Sequence, residues 1–257
     1  MSFENRQTIY VEGIQTINNL ITCSESIFKD YLSDFFKYIE NGLNNFYDKS
    51  LTKACMLSLD DIINNLSDQG VSINNLLDKV IQISNTSEAD KELKYMAIMI
   101  FTDYIMRYDI NDFYFEKIIS TVLFAMEFCC MLPSESEDED LIEYKYKLRD
   151  CLIEFLNIVI TRIVESNKTS VLDNKILGIV DFISISLRSE YNPTSEVKYC
   201  CYIIMGDICT EYKDQLKNYK SRIPFSLLNP IYDEFKNTEL AASVIKAGDK
   251  LKTFYYS

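Results

Sequence analysis

Eight cysteines, 39 acidic residues and not one histidine decide what chemistry this chain can do. Without histidine there is no Ser–His–Asp triad, no Cys–His dyad and no imidazole metal ligand. The cysteines stand at Cys23, Cys55, Cys129, Cys130, Cys151, Cys200, Cys201 and Cys209, and no two have the C-x-x-C spacing of a zinc or redox site. Cys129–Cys130 and Cys200–Cys201 are chain neighbours, which on a helix point in different directions and disfavour a mutual disulfide. Nothing near them in sequence would lower a thiol pKa. They read as small apolar residues of a core, kept in a reducing compartment. No glycine-rich phosphate loop and no convergent cluster of carboxylates appears. The sequence therefore predicts no enzyme, no cofactor and no metal.

What remains is carboxylate chemistry. The formal net charge is −13 and the isoelectric point about 4.6. Such a field repels nucleic acid and anionic lipid and attracts basic partners. A solvated helical surface has the same composition, so each acidic residue also has a purely structural reading. The opening MSFENRQTIY has no signal-peptide pattern, and no run reaches the roughly 18 apolar residues that span a bilayer. Neither nucleic acid nor membrane is expected as a partner, and the sequons at Asn85 and Asn167 read as chance matches.

The elements that would hold such carboxylates are helices. Glycine (6) and proline (4) are scarce, whereas all-β chains need many at their turns. Leu93, Met96, Ala97, Ile100, Phe101 and Tyr104 fall on one face of a helix. The same template recurs as Leu148, Cys151, Leu152, Phe155, Leu156, Val159, and again as Val197, Cys200, Cys201, Ile204, Met205, Ile208. Weaker copies are Leu51, Ala54, Cys55, Leu59, Ile62 and Ile9, Gly13, Ile17, Leu20. The copies start at 9, 51, 93, 148 and 197, with steps of 42, 42, 55 and 49 residues. HEAT and armadillo units run about 40–47 residues, so this is their period with two insertions.

Second apolar helices lie between the copies, at Ile27–Asn44, Ile73–Ser84, Phe113–Cys130 and Val171–Leu187. Each unit is then helix A, a short turn and helix B. Ser67–Gly70 and Asp109–Asp112 supply turn chemistry, and Thr86-Ser87-Glu88 and Asn192–Ser195 read as starts of A helices. The expected fold is an all-α HEAT-repeat α-solenoid, a superhelix of about five to six antiparallel helix pairs. Residues 1–257 read as a single array, with units starting near 4, 48, 88, 141 and 193. A terminal helix over 239–256 follows a break at Pro224–Pro230. Ser134–Asp140, with five acidic residues in seven, is the one composition break. It reads as a solvated loop or as an acidic lip for a basic partner.

Several of these segments carry a family resemblance. Gly206-Asp207-Ile208-Cys209-Thr210 resembles the G-D-[LI]-C-T stretch in the last HEAT repeats of the importin-beta (karyopherin-beta) family of nuclear import receptors. Phe28, Tyr31, Phe35, Gly42, Leu43 and Asn45 resemble that family's F-x-x-Y…F…G-L-x-N helix. Asp78–Gln82, Cys151–Val159 and Ile179–Ile183 are similar to further helices there, in the same order. The resemblance runs from about Gln7 to Phe254. It departs in three places: no counterpart of the N-terminal Ran-binding repeats is present, Lys246 stands where the family's last helix has a tryptophan facing the cargo adaptor, and Ser134–Asp140 is an enlarged loop. It implies that the chain is a fragment, or that upstream repeats come from elsewhere.

The resemblance also implies sites and partners. B helices of the family line a concave face that grips the basic importin-beta-binding helix of importin-alpha or other basic cargo. Carboxylates suit that task, and the candidates are Asp30, Asp34, Glu40, Asp78, Glu116 and Asp181. Phe-Gly nucleoporins would sit between A helices on the convex face, around Ile14, Ile17, Ala54, Met96 and Met99, although by residue type these read first as core. Ran would act only through repeats this chain lacks. Asp61, Asp103 and Asp207 recur near the C-terminal ends of their A helices and read as a structural ladder, capping a turn or pairing with the next unit. The implied location is cytoplasm and nucleus, at the nuclear envelope and pore. The competing function is a HEAT scaffold for some other assembly, favoured if the concave face proves neutral.

Overall fold

The computed structural model describes residues 3–23, 31–66, 72–86, 89–108, 112–130 and 138–257, which form helices and 3₁₀ turns with no strand among them. They fall into two compact units, 1–121 and 122–257.

The first unit holds α1 (Phe3–Cys23), α2 (Leu32–Leu43), α3 (Lys49–Leu66), α4 (Asn74–Asn85), α5 (Lys91–Arg107) and the larger part of α6 (Asp112–Cys130). Helices α1, α3 and α5 stack side by side as one layer, and α2 packs against α3 and α4. Leu59, Ile62, Ile63, Leu77, Val80, Leu93, Ala97 and Phe101 are fully buried between them. Each face is too small to be stable alone. Stacking on the neighbouring pair supplies the apolar contact that offsets the conformational cost.

The second unit holds α7 (Glu139–Ser166), α8 (Ile176–Ser186), α9 (Ser195–Glu211), the short α10 (Lys213–Leu216), α11 (Phe225–Phe235) and α12 (Ala241–Tyr256). A 3₁₀ stretch, Lys217–Arg222, continues α10. Helices α7, α9 and α12 form the stacked layer here. The ends are set by local chemistry. Asp90 accepts the Glu92 N–H at 2.8 Å and Thr194 accepts the Val197 N–H at 3.2 Å, each satisfying a first-turn donor. Asn167 stops α7 in a left-handed conformation (φ 54°), and the Lys168 N–H then reaches the Ile163 carbonyl at 3.1 Å.

Several boundaries differ from the sequence reading: α7 begins at Glu139, inside the Ser134–Asp140 run read as a loop, with Asp138 as its cap, and the helix expected over Val171–Leu187 begins at Ile176 after a 3₁₀ turn at Thr169–Leu172. The helix expected to start at Thr86–Glu88 starts at Lys91, because Asp90 supplies the cap; residues 87 and 88 lie outside the described set. The expected break at Pro224–Pro230 is the helix α11. Pro224 occupies its N-cap, and the exposed Pro230 sits in the second turn. One missing backbone bond there is outweighed by burial of Leu228, Ile231 and Phe235.

Polar contacts between neighbouring helix pairs keep the period of the sequence. Asn64–Asp103, Asp78–Lys117, Asp181–Arg222, Gln215–Asp173 and Lys250–Asp207 are 39, 39, 41, 42 and 43 residues apart. The periodicity read from apolar residues is thus also the register of a polar ladder.

Candidate functional site

Of the six B-helix carboxylates, Asp30 lies outside the described residues. Asp34 is exposed on α2 and accepts from Lys37 one turn on, at 2.8 Å. Glu40 is half-buried on the same helix, and Glu116 is exposed on α6. Asp78 on α4 accepts from Lys117 at 2.8 Å and from the Tyr114 hydroxyl at 3.4 Å, both on α6. Asp181 on α8 accepts from Arg222 at 3.0 Å. Asp78 and Asp181 therefore each face a cation one repeat later. The sequence reading missed Lys117 and Arg222; a basic residue about 40 positions after an acidic one was the available signal. These pairs are some two-fifths exposed on both sides and contribute little to stability. A basic ligand can therefore displace the internal cation at modest cost.

The ladder aspartates lie in the A layer. Asp61 on α3 accepts from Asn18 on α1, Asp103 on α5 accepts from Asn64 on α3 at 3.2 Å, and Asp207 on α9 pairs with Lys250 on α12. Asp60, which the sequence reading passed over, belongs to the same seam. Its Oδ1 is occluded and meets no donor, while its carboxyl lies against that of Asp103. Burial, reinforced by Asp103 and Asp61, lifts Asp60 to about 7.

The folded value lies above the unfolded one of about 3.9, so the associated stability is complete below about 3.9 and is lost as pH rises through about 7. The thermal midpoint is expected to fall between pH 5 and pH 8. Asp60→Asn should raise it at pH 8 by roughly 2–4 °C, for about 1 kcal/mol, and change it little at pH 5. Parallel pH profiles for the two proteins in scanning calorimetry would refute the link between Asp60 burial and stability.

The residues assigned to a convex apolar site divide. Ile14 and Ala54 are buried in the α1–α3–α5 seam, Ile17 and Met96 are half-buried, and Met99 is 44% exposed. The thiols of Cys55, Cys129, Cys151 and Cys209 are buried and pushed up to about 12 by that burial, so they stay protonated and unreactive at neutral pH. Among the described residues, no group of three or more His, Cys, Asp and Glu could hold a metal, and no helix is long and apolar enough to cross a membrane.

With this geometry in place, three comparisons bear on kinship. Residues 2–223 match the family model described as importin subunit beta-1-like, TPR repeats. A structure of Kap95p with RanGDP, whose switch loops Kap95p binding brings to the GTP-bound conformation, superposes with a TM-score of 0.78 at 16% identity, covering 97% of this chain and 29% of that one. A crystal structure of importin beta obtained in a polyethylene glycol condition gives a TM-score of 0.67 at 16% identity, covering 94% and 29%. The stacked helix pairs are thus the HEAT solenoid of those structures, and the chain spans under a third of their length. No curated protein matches.

Proposed function

We infer that this chain, which belongs to the importin subunit beta-1-like family, is the C-terminal HEAT-repeat portion of a karyopherin-type nuclear import receptor. In this reading it moves between cytoplasm and nucleus through the pore. Within the first unit its B helices hold a basic segment, that of importin-alpha or of basic cargo, against Asp34, Glu40, Asp78 and Glu116, and Asp181 of the second unit offers the same kind of contact by itself. Phe-Gly segments of nucleoporins would meet the A layer at Met99, and contact with Ran is assigned to repeats outside this chain.

The observation that carries the reading is the exposed B-helix ladder of exchangeable ion pairs. Asp78 is held by the half-exposed Lys117 of α6, with the Tyr114 hydroxyl beside it, and Asp181 by the half-exposed Arg222 at the end of the 3₁₀ stretch before α11. A ligand lysine or arginine offers those carboxylates the same bond, with several others in register. The net charge of −13 would speed the encounter of a basic segment. The same pairs supply the case for the second reading, a HEAT scaffold of another kind, because they also neutralise the face from within.

The two readings part on one substitution. If Asp78 is a ligand group, Lys117→Gln frees it and tightens binding of a synthetic basic helix of the importin-beta-binding type by about threefold to tenfold at low salt. Asp78→Asn with Glu116→Gln should weaken it by at least about tenfold, and raised salt should weaken the parent complex steeply. A Lys117→Gln protein with unchanged affinity and only a lowered melting temperature would favour the scaffold.

A further inference from the structure

The charge of this chain is unevenly spread. Residues 213–257 carry eight Lys and Arg against five Asp and Glu, in a chain of 26 against 39. The acidic molecule therefore has a basic end, and that end contains a cleft of about 450 Å³ between α11 and α12.

The cleft is walled largely by aromatic rings: Tyr202 of α9, Phe225 and Tyr232 of α11, and Tyr255 and Tyr256 of α12. Phe225 and Tyr255 meet edge to face with centroids 4.7 Å apart, which fixes one rim. Gly248 lets the wall close up: a Cβ there would stand 2.9 Å from the Tyr202 hydroxyl and 3.2 Å from the Tyr232 ring. Ammonium groups border the rings. Lys252 lies 5.2 Å from the Tyr232 centroid and makes no ion pair among the described residues. Lys236 lies 6.0 Å from the same ring and pairs with Asp233 at 2.6 Å, and Lys220 donates to the Tyr255 carbonyl at 3.2 Å. The lining thus carries one cation, Lys252, and one carboxylate, Asp233, with Lys236 and Lys220 just outside it and Asp249 near enough to act on the Tyr202 hydroxyl.

We propose that this cleft docks a short acidic peptide segment, seating an aromatic side chain among Tyr202, Tyr232 and Tyr255 and setting its carboxylates against Lys252 and Lys236. Tyrosine walls give rigid, amphipathic contact at low entropic cost, as in antibody paratopes. The volume suits one aromatic side chain and its flanks. A polyanion such as nucleic acid fits less well, because its charge runs on past the cleft along an otherwise acidic chain, whereas a short peptide sets its few carboxylates beside Lys252 and Lys236 alone. The site is opposite in sign to the basic-segment ladder, so the two do not compete and each can fail alone.

The test is fluorescence anisotropy with the full chain and a labelled heptapeptide, a central phenylalanine flanked by aspartate and glutamate. Binding is expected to weaken at least about tenfold with Lys252→Glu, and comparably with Tyr255→Ala or with alanine in place of the peptide's phenylalanine. Circular dichroism melting confirms that both variants remain folded, since Lys252 and Tyr255 are exposed. Absence of binding at low salt would overturn the proposal. So would equal affinity for the Lys252→Glu protein, equal affinity for the alanine peptide, or displacement by oligothymidylate at a lower concentration than by unlabelled peptide.

Discussion

Replacing Gly206 by valine is expected to pry α12 off α9 and to lower the stability of the 122–257 unit by about 3 kcal/mol or more. Gly206 faces Ala247 at a point where the two helices almost touch. A Cβ added there would stand 3.0 Å from both Cα and Cβ of Ala247 and 3.2 Å from its carbonyl oxygen. Those are backbone or near-backbone atoms, so no side chain can swing aside. Displacement of α12 would also stretch the adjacent Asp207–Lys250 pair, whose carboxylate and ammonium are largely buried. Gly206→Ala should cost less, about 1–2 kcal/mol, because one methyl asks for a smaller shift. Gly178→Ala is the control: it has open space around it, and helix propensity alone predicts a gain of about 0.5–1 kcal/mol. Hydrogen exchange reads the outcome directly. Amides of 241–256 should lose protection in the valine protein while those of α7 keep theirs. Unchanged protection of 241–256 would mean that the close approach is not what holds the last helix.

This contact also shows what a sequence of this kind makes legible. The period was visible because each A helix buries the same stripe, so the apolar template repeats at the repeat length. Asp207 could be picked out because its position recurs in the A helices, and Asn192–Ser195 as a helix start because caps restrict residue type; Gly206 entered only through the family resemblance, and its close approach to Ala247 was not read. The nature of α11 was not visible. Two prolines six residues apart read as a break, yet the first sits at the cap and the second on the exposed side, while Leu228, Ile231 and Phe235 supply the buried stripe. The partners of the candidate carboxylates were hidden for a different reason. Asp78 and Lys117 each look like ordinary surface residues on separate helices, and only the stacking of α4 on α6 brings them within 2.8 Å. Asp60 was obscured in the same way: it follows an apolar run in a polar position, and its burial comes from α5. The basic end was masked by the bulk charge, since a total of −13 says nothing about how charge is divided along the chain.

Arg149→Ala should be the most damaging loss of a polar side chain, costing about 3–5 kcal/mol. Arg149 is 2% exposed in the middle of α7. Its Nε donates to Asp150 at 2.7 Å, its Nη1 donates to the Tyr191 carbonyl, and its guanidinium lies 5.2 Å from the Tyr146 ring. Tyr191 in turn donates its hydroxyl to the Cys130 carbonyl at 2.8 Å, at the end of α6. Truncation to alanine removes the donors for one carboxylate and one carbonyl, opens a cavity between α7 and the Ser189–Tyr191 turn, and loosens the tyrosine that ties the turn to α6. The charge itself is not what stabilises; a buried ion pair can be replaced by apolar groups of similar volume at little cost. The double variant Arg149→Met with Asp150→Asn should therefore recover about half the loss or more, although the Tyr191 carbonyl still lacks its donor. Urea denaturation of the three proteins separates the contributions. If the single and double variants are equally destabilised, the cost lies in the Tyr191 carbonyl, which lacks its donor in both. If Arg149→Ala costs under about 1 kcal/mol, water enters the site and the guanidinium is not the tie between α7 and the following turn.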